Sequence, residues 1–410
     1  MNKINYLSII DINSNYFVVD YYNLNIFYHG KKYPNNLFKY LNKSENNCKF
    51  AHNSTLDYQF SLKKIESVAI SISNKCNFKC VHCYNNSLSK KNYITGNNAL
   101  SQIEAYKKLK NLISKIISIK NVKIIKFFGG EPLLYKNALK KIITEPAFKK
   151  LKWSIITNFS LLTKKDIIFF TKNNVNIKFN FDINNETYNK ITGATTNKYY
   201  NNILKLLPII KSFKTKFRIG IVLTHLNNNL FKFYLLLKKY NLQDRFIYNY
   251  VSTSNKKYML SEEDINKFKQ DFIKLINEDI KSSRDKKLKI FNTPRLPINS
   301  CGAFYNYIAF DLLGNIYPCH RFIGLKKYVF ENIFEYTNSN NKKIDKFIKK
   351  NNEILKIKCS NCYLNNFCKG NCHYDRLISK HYNCEIIKFT FDALLKKFLK
   401  LKLQNLPTTR

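Results

Sequence analysis

Cys76, Cys80 and Cys83 stand in the run Ser73-Asn74-Lys75-Cys76-Asn77-Phe78-Lys79-Cys80-Val81-His82-Cys83-Tyr84, a Cys-x-x-x-Cys-x-x-Cys spacing. Clustered cysteines in a reducing compartment are metal ligands or catalytic thiols more often than disulfide partners. A structural zinc needs a fourth ligand, and His82, wedged between two of the cysteines, would strain a tetrahedral site. A cubane iron–sulfur cluster normally takes four cysteines. Held by three, it keeps one iron with an open position, and an open position on a metal is where chemistry is done. A second set follows: Cys301, Gly314-x-x-x-x-Cys319, Cys359-x-x-Cys362-x5-Cys368-x3-Cys372 and Cys384. Cys359 and Cys362 alone would also suit a zinc ribbon. Of the eleven cysteines these two sets use ten, leaving Cys48, which is expected to be structural.

The first loop resembles the signature of the radical S-adenosylmethionine (SAM) enzymes. That resemblance implies a [4Fe–4S] cluster on Cys76, Cys80 and Cys83, with SAM chelating the open iron through its amino and carboxylate groups. One electron would then break the sulfonium C–S bond and give a 5′-deoxyadenosyl radical. His82 and Tyr84, around the last cysteine, are expected near the adenine. Phe127-Phe128-Gly129-Gly130-Glu131-Pro132 looks like the family's Gly-Gly-Glu-Pro motif, which binds the methionyl amino group. Paired glycines let backbone approach a ligand closely, and a carboxylate suits an ammonium. Ile155-Ile156-Thr157-Asn158 is similar to the family's Thr-Asn-Gly, with Phe159 in place of the Gly. The Asn158 amide can bond polar atoms of the cofactor. Asn180-Phe181-Asp182-Ile183 stands where many relatives have Ser-Leu-Asp-Gly. Asp182 matches, while Asn180 and Ile183 depart from that pattern.

The second set resembles the seven-cysteine SPASM domain, which carries auxiliary [4Fe–4S] clusters. By that resemblance Cys359, Cys362, Cys368 and Cys384 hold the outer cluster, and Cys301, Cys319 and Cys372 the inner one. Some relatives add an eighth cysteine soon after the first, and none follows Cys301 here. The inner cluster then also has an open iron, for a soft substrate thiolate, a water or a local side chain. His320 follows Cys319, where relatives that oxidise a Cys or Ser of sulfatases have an Asp base. This points away from sulfatase maturation and towards thioether-forming maturases of the ranthipeptide and sactipeptide type. His320 is a candidate catalytic base, or a hydrogen-bonding neighbour of cluster or backbone. Arg321 is either a contact for a substrate carboxylate or a surface charge.

These residues need a scaffold. Strands are expected at Ser67–Ser73, Val122–Phe128, Trp153–Thr157, Val175–Asp182, Phe217–Thr224 and Arg245–Val251. Helices are expected at Ala99–Ile117, Lys136–Lys149, Lys164–Asn173, Asn202–Lys214 and Leu230–Tyr240. Such alternation predicts parallel strands with crossover helices. About six such units make a partial (β/α)6 barrel with its site at the C-terminal strand ends. The fold class is thus α/β, with the barrel over residues 66–283. A small β-rich module precedes it (1–65), with strands at Tyr6–Ile12, Tyr16–Asp20 and Leu24–Tyr28 and a helix at Leu37–Leu41. It is read either as a leader-peptide recognition element or as a lid for the barrel. A helix over 261–282, N-capped by Ser261, closes the barrel. Residues 284–384 form the Cys-rich SPASM region, loop-rich and with little core, and a packing helix occupies 385–410.

Lys and Arg number 70 against 27 Asp and Glu, a formal net charge of +43. The lysines are spread along the whole chain, which reads as a solvated surface and compositional bias. The field still favours an acidic partner, more weakly as salt rises. No apolar run reaches the roughly 20 residues of a bilayer span, and the amino terminus lacks a signal-peptide pattern. A cytoplasmic protein with no membrane or nucleic-acid partner is expected.

The function implied is modification of a ribosomally made, Cys-containing precursor peptide or protein. A thioether would form after hydrogen abstraction by the 5′-deoxyadenosyl radical. A low-potential donor such as flavodoxin or ferredoxin would supply electrons. Alternatives within the family are carbon–carbon crosslinking, Cys or Ser oxidation and quinone-cofactor maturation. The alternative from another class is a non-catalytic, metal-containing nucleic-acid-binding protein.

Overall fold

The computed structural model describes residues 7–20, 25–31, 61–83, 100–119, 121–213, 217–253, 255–281, 302–336, 342–368, 370–379 and 383–404. Tyr84, Cys301, Cys48 and the helix expected at Leu37–Leu41 lie outside them.

Three strands open the chain: β1 (Leu7–Ile12), β2 (Asn15–Asp20) and β3 (Asn25–Gly30), an antiparallel sheet in that order. The barrel sheet follows with β4 (Ser67–Ser71), β5 (Ile124–Phe128), β6 (Lys152–Thr157), β7 (Asn176–Asn180), β8 (Phe217–Leu223) and β9 (Phe246–Tyr250). All five pairings between them are parallel and run in chain order. The expected six-strand scaffold is present, with strand ends that differ from expectation by a residue or two, β6 being one residue longer and the others shorter.

Between the strands run α1 (Gln102–Ile117), α2 (Lys136–Ile143), α3 (Lys164–Lys172), α4 (Asn185–Thr192), α5 (Lys198–Lys211) and α6 (Leu230–Lys239). Their starts are written in side chains. Ser101 and Glu104 cap α1 reciprocally, and Thr163 and Asp166 do the same for α3, satisfying N–H groups that a helix start leaves orphaned. Then comes α7 (Glu262–Lys281), where Ser261 accepts from Asp264 N at 3.1 Å and Asp264 accepts from Ser261 N at 2.9 Å. The sequence pattern had not marked α4, whose apolar content is only Tyr188 and Ile191.

The Cys-rich region departs from expectation. Its strand β10 (Tyr307–Asp311) pairs in parallel with β4, and β11 (Ile316–Tyr317) turns back on it, making one eight-stranded sheet. Phe304, Ile308, Phe310, Tyr317, Phe322 and Phe347 are buried in the same core as the barrel. Residues 302–336 therefore do have a core, because they borrow the barrel's. Beyond them lie α8 (Lys342–Cys359), α9 (Asn365–Cys368) and α10 (Cys384–Gln404). A smaller core joins Ile12, Phe17 and Val19 of the amino-terminal sheet to Leu364 and to Phe391, Leu395 and Leu399 of α10. Among the described residues no helix is long and apolar enough to cross a membrane.

Candidate active site

The three-cysteine loop leaves the C-terminal end of β4 and is clamped from two sides. On one side Gly130 N donates to Ser73 O at 2.7 Å and Glu131 N donates to Lys75 O at 2.8 Å. A Cβ at Gly130 would sit 2.0 Å from Lys75 O, and one at Gly129, whose φ is +143°, would sit 2.5 Å from Ser73 O. The paired glycines thus serve close approach of β5 to the loop backbone. On the other side the carboxyl end of α4 receives the loop. Lys79 N donates to Thr192 O at 3.0 Å and Val81 N to Ile191 O at 2.9 Å. Phe78 packs edge-on against Tyr188 and Tyr199.

The thiols held there disturb one another. Burial pushes the Cys76 thiol up to about 11, and the charges of Glu131 and Cys83 add to this. Cys80 is pushed higher still, by burial and then by Cys83, Cys76 and Asp182. Crowded thiols that resist ionisation, as Cys76 and Cys80 do, are stabilised as thiolates by a metal centre. Among the described residues no three Cys, His, Asp or Glu side chains converge on a single-ion position. A cubane, whose cysteines each reach a different iron, does not ask for that.

Around the loop sit the strand-end residues. Glu131 is 2% exposed and accepts from Leu133 N at 2.9 Å, Thr157 Oγ1 at 2.6 Å and Asn158 N at 2.7 Å. It ties β5 to β6, and burial still pushes its carboxyl up to about 7. Asn158 Nδ2 bonds Asn77 Oδ1 at 2.9 Å and lies 3.8 Å from Cys76 Sγ, while its Oδ1 accepts from Ser160. Asp182 follows β7, accepts from Asn227 Nδ2 and is pushed up to about 7 by burial. Buried atoms with no protein partner include His82 Nδ1, Asn180 Oδ1 and Tyr188 OH. Buried polar groups are ordinarily paired, so this cluster of orphans and near-neutral carboxyls fits a polar ligand such as SAM. Pro132 opens a short 3-10 turn that Glu131 caps.

The Cys-rich region comes to the same end of the sheet. Cys319 is buried, and His320 Nδ1 meets Tyr307 OH at 2.8 Å while its ring lies 5.2 Å from that of Phe128. Burial, then Arg321, Lys178 and Lys126, lower the imidazole to about 3, so it is neutral at rest. Arg321 is not a simple surface charge. Its Nη1 donates to Asp375 Oδ1 at 2.9 Å, to Ser252 Oγ at 2.9 Å and to Cys372 Sγ at 3.4 Å. Burial raises Cys359, Cys368 and Cys384, and each is raised further by others of the set that includes Cys362. Cys372 instead feels Arg321 and Asp375. The thiols therefore segregate into a group of four and a separate Cys372.

Several residues here carry no local sequence signal: Tyr188, Asn227, Tyr307 and Asp375. Each acts through a partner more than 10 residues away, Tyr188 by packing on Phe78. The backbone at Phe159 did have a signal. Its φ is +68°, the left-handed region that favours the Gly of the family motif.

The Radical SAM superfamily model matches residues 70–229. The chain is similar to the radical SAM cyclopropyl synthase TigE of Paramaledivibacter caminithermalis, 28% identical over 203 residues, which are 44% of this chain and 41% of TigE. It is also similar to the Cysteine-type anaerobic sulfatase-maturating enzyme of Clostridium perfringens, 22% identical over 370 residues, 80% of this chain and 96% of that enzyme. Among solved structures, native anSMEcpe with bound AdoMet and Cp18Cys peptide superposes with a TM-score of 0.64 at 20% identity, covering 82% of this chain and 98% of that one. Streptococcus suis SuiB bound to precursor peptide SuiA gives 0.55 at 16% identity, covering 94% and 99%. The superfamily implies one [4Fe–4S] cluster and SAM. Residues 70–229 are a radical SAM domain, and the chain has the fold of the peptide-bound anSMEcpe and SuiB structures.

Proposed function

We propose that the protein matures a Cys-containing peptide by forming thioether crosslinks. The observation that carries this reading is the convergence of two cysteine sites on one end of the barrel sheet. The clamped loop follows β4, and Cys319-His320 sits beside Phe128 at the end of β5. When bound, the cluster and SAM supply a 5′-deoxyadenosyl radical that takes a hydrogen atom from a substrate carbon. Cys76, Cys80 and Cys83 would hold that cluster. Tyr84, Gly129, Gly130, Glu131, Pro132, Asn158, Asn180 and Asp182 would bind or shape the place of SAM. Cys359, Cys362, Cys368 and Cys384 would hold the outer auxiliary cluster, with Cys301, Cys319 and Cys372 at the inner one. The barrel would orient the substrate and keep water from the radical. Electrons would come from a low-potential flavodoxin or ferredoxin. The amino-terminal sheet would bind a leader by strand addition.

Length favours a second reading, since the match spans 96% of a sulfatase-maturating enzyme. There the residue after the cysteine must take a proton. Here that residue is His320, already depressed to about 3, a poor base near neutral pH. The test is anaerobic turnover of a Cys-bearing precursor encoded beside the gene. Thioether formation removes two hydrogens and leaves no thiol to alkylate. Oxidation to an aldehyde loses the sulfur, and a carbon–carbon link keeps the thiol. Either result would displace the thioether reading.

A further inference from the structure

Arg321 stands two residues after Cys319 and reaches across to Cys372. Its Nη1 donates to Cys372 Sγ at 3.4 Å, within the longer reach of a sulfur acceptor. The same nitrogen donates to Asp375 Oδ1 at 2.9 Å and to Ser252 Oγ at 2.9 Å. One guanidinium nitrogen therefore serves a thiol, a carboxylate and a hydroxyl. The carboxylate is fixed in turn. Ser252 Oγ donates to Asp375 Oδ1, and so does Ser379 Oγ at 3.3 Å. Asp375 is buried and opens a π-helical turn, Asp375–Ser379, a rare geometry that recurs at functional sites. The guanidinium also lies over the ring of Tyr374, 5.8 Å from its centroid.

Replacing a buried ion pair by apolar side chains is often neutral or stabilising, so stability alone is a weak reason for this one. Its aim at a sulfur supplies another. Cys319 and Cys372 belong to the proposed inner set, and both are soft thiols, the donors that iron–sulfur clusters take. Hydrogen bonds to the sulfurs and nearby charge set a cluster's potential. An N–H aimed at a ligand sulfur stabilises the reduced, more negative cluster and so raises the potential. A guanidinium without a counter-charge would raise it further, and the Asp375 carboxylate offsets that excess.

We propose that Arg321 and Asp375 together set the reduction potential of the inner cluster, Arg321 through its bond to Cys372 Sγ and Asp375 as the charge that restrains it. Both are positioning residues, acting on the cluster through one of its ligands. This inference rests on the inner-cluster reading above.

The test is an electron paramagnetic resonance redox titration of the anaerobically reconstituted, full-length protein. The inner signal is identified as the one that Cys372→Ala loses. Arg321→Gln removes the N–H donor and leaves the carboxylate uncompensated. It should lower the reduction equilibrium constant of that signal by about tenfold, or about 59 mV for one electron. Asp375→Asn leaves the guanidinium uncompensated and should raise the constant by about as much. Signals that persist in Cys372→Ala should move by less than about threefold in either variant. A structural tie alone would lower the melting temperature of both variants without shifting the two potentials in opposite directions. Shifts of one sign, or the absence of either shift, would overturn the proposal and leave the cluster reading standing. A Cys372→Ala protein that loses neither iron nor signal would instead sink the inner-cluster reading, and this inference with it. Should Arg321→Gln fail to hold its iron, Arg321→Lys, which keeps the charge but displaces the donor, should still lower the potential, and Asp375→Asn still raise it.

Discussion

Left-handed backbone costs a residue with a Cβ about 1–2 kcal/mol, yet Phe159 holds it at φ +68°. Its ring is fully buried and stacks on Phe179 with centroids 3.9 Å apart. Burial of a phenyl is worth about 3–5 kcal/mol when measured by truncation, so packing outweighs strain. Phe159→Gly restores the family residue but should destabilise the protein by about 2 kcal/mol or more, read as a lower urea midpoint. Glu131 poses the opposite case. Its folded carboxyl is raised to about 7 by burial, from an ordinary 4.5. A raised carboxyl binds its proton more tightly when folded, so the stability it lends is complete below about 4.5 and lost as pH rises through about 7. Glu131→Gln cannot titrate, and its amide must face an N–H donor, a mismatch costing about 1–3 kcal/mol. In the cofactor-free protein the variant should be less stable at pH 5, with the gap narrowing towards pH 8. Denaturation curves across that range check the sign, and a gap that widens with pH would refute it.

At the scale of elements the loop is only as good as the pieces that hold it. Gly130→Ala drives a methyl into the Lys75 carbonyl, 2.0 Å from the new Cβ. The loop must move, and iron per chain after reconstitution should fall by about the share of the cluster held there. Arg321 ties Ser252, just after β9, to Asp375 and Cys372 of the Cys-rich region. Arg321→Gln leaves the Asp375 carboxylate, 5% exposed, without its cation. Breaking such a pair costs about 3 kcal/mol, visible as a lower melting temperature. The six barrel strands, five of the crossover helices and α7 with its Ser261 cap could be read from hydrophobic alternation and capping residues. The helix α4 could not, because Asn184-Asn185-Glu186-Thr187 looks like a turn and the face it buries is only Tyr188 and Ile191. The strand β10 was hidden for another reason. Its partner β4 lies more than 200 residues upstream, and no local pattern records a pairing over that distance. The cysteines were legible because their spacing is their chemistry. Tyr307, Asp375 and Asn227 were not, since each gains meaning only from a neighbour the fold supplies.

At the scale of the whole molecule the barrel has its own dry core, and the proposed outer cluster would brace the region from Cys359 to Cys384. Chelating iron should therefore raise amide exchange around α9 and the start of α10 well before it touches β4 to β8. Uniform protection loss would mean the barrel too depends on metal. The charge of +43 adds a salt-dependent pull on any acidic partner. None of this matters without the three-cysteine turn. The most direct test is electron paramagnetic resonance of anaerobically reconstituted, reduced protein before and after SAM, with 5′-deoxyadenosine assayed in the same samples. The expected result is a cubane signal that changes on SAM addition, with product, and the loss of that response and of product in Cys76→Ala. The absence of any SAM-responsive cubane signal, or cleavage that survives in Cys76→Ala, would contradict it.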